Sequence, residues 1–301
     1  MGPTLAVLLR RAAEAAGHRV DVLAASRFSS DRARKWLEAR GVGTIPCDLL
    51  ERGEVERLPD AENLVYLVGL KFGTEKDPSM TWAVNTLPPA HVCERFPRAR
   101  IAALSTGNVY ALAAVGGGGS AETDPLEPLG EYANAAVARE RMFEHFSRKN
   151  GTPVLLLRLN YAVELRYGVL LDIARNVFLG KPVDLTMGHL NFIWQGDANE
   201  LVIRSLAHAS SPPTALNLTG PEACSVRQLA ESFGRLLGRE AIFSGKEAPT
   251  ALLSNASRAC ALFGRPPTPV DAILQWTAHW VQKGGRILDR PTHFEARNGR
   301  Y

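Results

Sequence analysis

The chain has 301 residues, 46% of them hydrophobic and 22% charged, an ordinary soluble composition with length for one large domain or two interlocked ones. Its net charge is +4 and its pI about 9.0, yet acidic and basic residues are interspersed, as in Glu51–Asp60 and Glu131–Arg141, which reads as solvated helix faces and argues against nucleic-acid binding. Cys47, Cys93, Cys224 and Cys260 form no C-x-x-C, the histidines lack metal-ligand spacing, no apolar run approaches the ~20 residues that span a membrane, and no charged-then-apolar leader precedes the first helix, so the expectation is a cytoplasmic protein without metal, disulfides or membrane contact.

The first half alternates helical and extended patterns. Thr4–Ala16 is apolar at helical spacing and stops at Gly17, a helix C-terminal signal. Arg19–Ala25 is a short extended run, Ser30–Arg40 a helix and Gly43–Cys47 a strand. Leu64–Val68 is a continuous apolar strand, as expected when both faces of a sheet are covered. Trp82–Phe96 reads as a helix despite Pro88 and Pro89, Ile101–Leu104 as a strand, Glu131–Lys149 as a long helix and Val154–Leu159 as a buried strand. Strict alternation implies an α/β fold with a parallel sheet and helices on both faces. After Asn160 the pattern loosens into helices at Gly168–Leu179, Asn199–Ala209, Ser225–Leu237 (capped by Ser225) and Val270–Val281, with a strand at Ala215–Leu218. Gly116–Gly119 is a surface loop, because no strand leads directly into it. The expected division is residues 1–158 as a nucleotide-binding domain and 159–301 as a smaller α/β lobe, with about 192–209 packing back on the first part.

A doubly wound nucleotide-binding sheet opens with a strand, a glycine-rich turn and a helix. Here the helix comes first, and Met1-Gly2-Pro3-Thr4 looks like the last glycine of G-x-x-G-x-x-G followed by that helix, with Pro3 suited to its first turn. Either the fold starts with a helix, or the central strand and its two glycines are missing ahead of Met1.

Several later segments point the same way. They are Leu104-Ser-Thr-Gly-Asn-Val-Tyr110; Glu122, Pro125 and Pro128 ahead of Tyr132; Tyr66-Leu-Val-Gly-Leu-Lys-Phe-Gly73; Asn85; Arg158-Leu-Asn160; Phe192-Ile-Trp-Gln-Gly-Asp197; Ala215–Gly220; and Ser225–Ala230. In this order they resemble the extended short-chain dehydrogenase/reductase family, of the NAD-dependent epimerase/dehydratase type. The Gly-Leu-Lys run is similar to that of UDP-galactose 4-epimerases. The resemblance implies a Rossmann-type doubly wound sheet with a smaller C-terminal substrate lobe. It also implies NAD or NADP as cofactor, a sugar or nucleotide sugar as substrate, and a homodimer through the helices at Trp82–Phe96 and Glu131–Lys149. It places Tyr132 as the acid/base and Thr106 as its hydroxyl partner. Gly2, Arg27, Asp48, Leu49, Lys71 and Asn85 fall at cofactor-contacting positions, and Asn108, Asn160 and Asn191 at substrate-contacting ones.

One expected part is absent. A phenol has a pKa near ~10, and lowering it by ~3 units takes about 4 kcal/mol of preferential interaction with the anion. The family places a lysine one helical turn past its tyrosine, on the same face, and here that position is Ala136. Arg139, about two turns on, shares the face loosely. Lys71, at the carboxyl end of the sheet, is the better replacement cation. The second strand ends Leu23-Ala-Ala-Ser-Arg27 without an acid, and Arg27 there favours NADP slightly over NAD. The competing reading is a non-catalytic sensor that binds a dinucleotide or sugar nucleotide; a small-ketone reductase is a third. The tail Arg290–Arg297 is expected to be mobile, with a latch on the later lobe as the second reading.

Overall fold

The computed structural model describes residues 1–290 and 292–299; Pro291, within the polar tail, and Arg300 and Tyr301 lie outside the described residues. In chain order the elements are helix α1 (Gly2–Ala15), strand β1 (Leu23–Ser26), α2 (Asp31–Glu38), β2 (Gly43–Pro46), α3 (Arg52–Glu56), β3 (Asn63–Tyr66), α4 (Pro78–Arg95), β4 (Arg100–Thr106), α5 (Gly130–Asn150), β5 (Val154–Leu159), α6 (Val169–Phe178), α7 (Gln195–Ser205), β6 (Thr214–Leu218), α8 (Val226–Leu237), α9 (Ser257–Phe263) and α10 (Val270–Gln282). Several two-residue strands bind the loops between them.

The sheet is parallel and comes in two pieces. Strands β6-β5-β4-β3 form a four-stranded piece and β1-β2 a two-stranded one. No ladder joins β1 to β3 among the described residues, and Leu23 of β1 is 49% exposed. Helices hold the pieces together. Leu5 of α1 packs with Ala102, Leu155 and Leu216 of the larger piece, while its neighbours Ala6 and Val7 pack with Val22, Leu37 and Val42 of the smaller. On the opposite face, Ile45 and Cys47 pack with Tyr66, Val92 and Ile101. Strand β4 carries both contacts by simple alternation: Ile101 and Ala103 face α4 and α5, and Ala102 faces α1 and α7. That is why it reads as an unbroken apolar run. A third core joins α6, α8 and α10 through Val169, Ile173, Phe233 and Ile273.

Local chemistry sets the helix ends. Helix α4 begins four residues ahead of the predicted start, because the Asp77 carboxylate accepts the Met80 N–H at 2.9 Å and Pro78 fills the first turn. Helix α5 ends at Gly151, whose φ of 73° forms a left-handed cap. Helix α7 starts at Gln195 rather than Asn199, and the predicted end of that helix is a separate 3-10 turn at Leu206–His208. The short helices α3 and α9 have no sequence expectation of their own. The tail is seated on the protein, in contrast to the mobile end expected: Thr292 and Phe294 are 3% and 5% exposed.

Helix α5 is fixed to the sheet by a buried ion pair. Glu140, wholly buried, accepts from Arg158 of β5 at 2.8 Å and 3.1 Å, and from the Ser105 hydroxyl of β4 in a short hydrogen bond. Arg158 also donates to the Tyr110 hydroxyl at 2.7 Å, and that hydroxyl donates to the Asn217 side chain of β6 at 2.8 Å. Removing one partner of such a pair strands the other in low dielectric. Arg158→Met is therefore expected to cost about 3–5 kcal/mol in urea unfolding, and Arg158→Met with Glu140→Leu to recover most of it.

Candidate active site

The carboxyl ends of β3 and β4 and the first turn of α5 converge on one edge of the sheet. Strand β4 ends at Thr106, whose hydroxyl oxygen accepts the Asn108 N–H at 3.2 Å and the Asn108 side-chain amide at 3.0 Å. The chain then makes a 3-10 turn over Gly107–Val109. The close seam between this turn and Asn160 and Ser254 suits glycine, since a Cβ at Gly107 would lie 3.0 Å from the Ser254 hydroxyl. Tyr132 stands in the first turn of α5 and is 8% exposed. One turn later, Ala136 is fully buried against Val109 and Tyr110. The position that would hold a lysine is thus occupied by apolar packing.

Lys71 lies on the loop after β3. Asn85 and Arg139 pin that loop from below. Arg139 donates to the Val68 carbonyl at 3.2 Å and to the Asn85 side chain at 2.8 Å, while Asn85 donates to Thr81 and Leu70 carbonyls at 2.8 Å and 3.4 Å. Gly69 is required there, because a Cβ would collide with the Arg139 guanidinium. The Arg139 Nε and the Tyr66 hydroxyl are both buried without a hydrogen-bond partner, so the floor of this loop retains unused polar capacity. Lys71 Nζ lies 5.6 Å from the Phe72 ring, and Phe72 meets Tyr167 edge to face with centroids 6.4 Å apart. Burial lowers the Lys71 ammonium to about 8, against the opposing pull of Asp172. Burial pushes the Tyr167 phenol up to about 12, with Asp172 and Tyr132 adding to the rise. Burial also raises Asp172, against the two hydrogen bonds it accepts from Thr292.

The fold therefore gathers Tyr132, Lys71, Tyr167 and Asp172. Thr106 sits on the adjoining strand end, one short turn from Val109, which packs on Ala136. Tyr167 and Asp172 have no sequence signal apart from the fold; they enter only because α6 swings back over the Lys71 loop. Other predicted positions are distributed along the same sheet edge. Gly2 begins α1 beside Leu67 at 3.6 Å for a built Cβ. Arg27 is exposed just past β1. Asp48 accepts the Leu50 N–H at 3.1 Å, and the Leu49 carbonyl lies 3.0 Å from the His91 ring. Asn160 and Asn191 are 2% and 3% exposed and bond to each other at 2.8 Å. Their remaining amide hydrogens go to the carbonyls of Leu252, Gly220 and Ser254, so both serve to hold the segment around Leu252–Ser254.

Comparison with known proteins adds an independent line. No curated protein matches the sequence. Among solved structures, the chain is similar to UDP-glucose 4-epimerase from Thermotoga maritima, with UDP-glucose (TM-score 0.75, 15% identity, 93% of this chain and 96% of that one covered). It is also similar to UDP-glucuronic acid 4-epimerase from Bacillus cereus in complex with NAD (0.77, 16%, 94% and 95%). A third is the dTDP-glucose 4,6-dehydratase from Streptomyces venezuelae with NAD and TYD bound (0.76, 16%, 94% and 94%). At these identities the likeness shows the Rossmann-type fold. The family model described as NAD dependent epimerase/dehydratase matches residues 6–217, more than two thirds of the chain, and on that match the chain belongs to the NAD-dependent epimerase/dehydratase family.

Proposed function

We propose that the protein is an NAD(P)-dependent oxidoreductase of the extended short-chain type, acting on a hydroxyl or ketone of a nucleotide sugar. The observation that carries this reading is that Tyr132 and a largely buried Lys71 are drawn into one cluster through Tyr167 and Asp172, at the carboxyl end of a parallel sheet, where ligands of such sheets bind. Residues along that edge fit a dinucleotide. Gly2 and the first turn of α1 would offer backbone N–H groups to a diphosphate, Asp48 and Leu49 would contact the adenine, and Lys71 would contact the nicotinamide half, over a floor with unused polar capacity at Arg139 and Tyr66. When bound, the nicotinamide accepts or donates the hydride. The Tyr132 phenol takes or returns the hydroxyl proton of the sugar, and the Thr106 hydroxyl orients that group. The Lys71 ammonium supplies the positive field that Ala136 cannot, and favours the phenolate.

Two of the similar structures named above, the Bacillus cereus epimerase and the Streptomyces venezuelae dehydratase, were solved with NAD, which favours that cofactor. The exposed Arg27 at a strand end without a carboxylate favours a 2′-phosphate. The cofactor proposed is therefore NAD or NADP. Nucleotide-sugar substrates follow the same relatives. The exposed Trp82 (40%) and Leu87 (47%) on α4 support a homodimer through α4 and α5, and a cytoplasmic setting fits four free cysteines. The buried Ala136 favours a second reading, a ligand-binding relative without turnover.

Absorbance of reduced nicotinamide, scanned with UDP-glucose, UDP-glucuronic acid and dTDP-glucose, separates the two. The enzyme reading expects turnover that vanishes in Tyr132→Phe and in Lys71→Met; tight binding without turnover across the panel supports the sensor. Lys71 also leaves a stability signature. Its native value of about 8 lies below the ordinary 10.5, so between these the unfolded chain holds a proton that the native state has released. Stability therefore rises with pH from about 8 to 10.5, and the rise is absent in Lys71→Met. Reinstating the family lysine should fail: Ala136→Lys overpacks the Val109–Tyr110 contact and buries an unpaired charge, which costs about 3 kcal/mol or more in thermal or urea unfolding.

A further inference from the structure

The segment after α10 runs against residues that adjoin the candidate site. Leu288 donates its N–H to the Arg166 carbonyl at 3.0 Å, one residue before Tyr167. Thr292 donates both its N–H and its hydroxyl to the Asp172 carboxylate, at 2.8 Å and 2.6 Å. Phe294 packs into the core of α6, α8 and α10. Arg297 donates to the Thr250 carbonyl and hydroxyl, both at 2.6 Å. Gly299 then presses on Leu129 and Gly130 so closely that a Cβ on either glycine would collide with the backbone opposite. Three of these docking points adjoin site residues: Arg166 precedes Tyr167, Asp172 faces Lys71, and Gly130 lies two residues from Tyr132.

The construction is that of a piece able to leave. Among the described residues of 289–299 none lies in a helix or strand, and the stretch from Lys283 to Arg290 is mostly exposed. Asp289 and His293, on either side of Thr292, hold left-handed φ values of 51° and 52°, which are uncommon for side-chain-bearing residues. An exposed leash is thus followed by separate anchors, of which Thr292, Phe294 and Gly299 are buried, with no ladder or helix tying one to the next among the described residues. Undocking withdraws both donors from Asp172 and leaves that carboxylate to Lys71.

We propose that residues 292–299 are an intramolecular strap that closes the candidate site, and that release of the strap from Asp172 and from the first turn of α5 admits the nucleotide sugar. The strap rests on the reading of the Tyr132–Lys71 site given above, so the test has a readout that needs no substrate. Reductive methylation of Lys71 at pH 8, mapped by mass spectrometry, reports access to the site. Thr292→Val removes the hydroxyl donor to Asp172, and Gly299→Ala blocks the seat on α5; neither touches Phe294. Thr292→Val is expected to raise the Lys71 labelling rate about tenfold, the effect of losing one hydrogen bond, and Gly299→Ala to raise it at least as much through its clash with Leu129, each at an unchanged Tm. Each is also expected to speed UDP-glucose association. Should Gly299→Ala lower the Tm, Thr292→Val alone decides. Unchanged labelling overturns the strap, and faster labelling with unchanged or slower UDP-glucose association overturns its gating role. Accelerated labelling in a protein that binds UDP-glucose in no form upholds the closure and rejects the substrate reading instead.

Discussion

The Glu140 carboxylate is the constraint on which the site's geometry depends. It is wholly buried and takes hydrogen bonds from a serine on β4 and an arginine on β5. The serine precedes Thr106, and the carboxylate belongs to the helix that carries Tyr132. One buried charge pair thus fixes the strand end with the hydroxyl against the helix with the phenol. Alone, such a pair is a weak source of net stability, since its desolvation cancels much of its attraction. Its value here is positional: it allows one register of α5 on the sheet. The Tyr110–Asn217 hydrogen bond extends the same network to β6, so the arrangement spans three strands.

On this frame the family's lysine position has been given over to packing. Ala136, Val109 and Tyr110 form a small apolar contact where a cation would need space and a partner. A lysine displaced to the loop after β3 meets different physics. Asn85 and Arg139 hold its backbone from beneath, the Phe72 ring lies beside it, and Asp172 approaches from α6. Burial lowers this amine to about 8, against the opposing pull of Asp172. On the function proposed above, the chain would retain the phenol at Tyr132 and carry the charge at Lys71, because both elements end on one edge of the sheet.

Much of the fold was legible because it is written in local patterns. The apolar runs Ile101–Leu104 and Val154–Leu159 have both faces covered, and the glycines ending α1, α5 and α8 punctuate long amphipathic helices. What escaped was either too short for periodicity, as in the five-residue α3 and seven-residue α9, or decided by a single side chain, as at the Asp77 cap of α4. For the candidate site, Tyr132, Thr106 and Lys71 are the residues the sequence puts forward, from their places after strands and at a helix start. Tyr167 and Asp172 were not, since nothing in Glu164–Asp172 announces that it will fold over a loop nearly a hundred residues earlier. Asn160 and Asn191 carried a substrate signal in the sequence, but the structure commits their amides to one another and to backbone carbonyls. The tail read as a free end, because docking through Thr292, Phe294 and Gly299 leaves no periodic trace.

The account stands on Lys71 being a partly buried amine drawn into the Tyr132 cluster. Its titration tests this most directly: the methyl resonance on Lys71 Nζ, followed by NMR through pH in protein carrying carbon-13 methyl groups on lysine and assigned against Lys71→Met. A midpoint near 8 is the result predicted. A midpoint in the ordinary range near 10.5 would mean an exposed, solvated ammonium, and would contradict the placement of the charge.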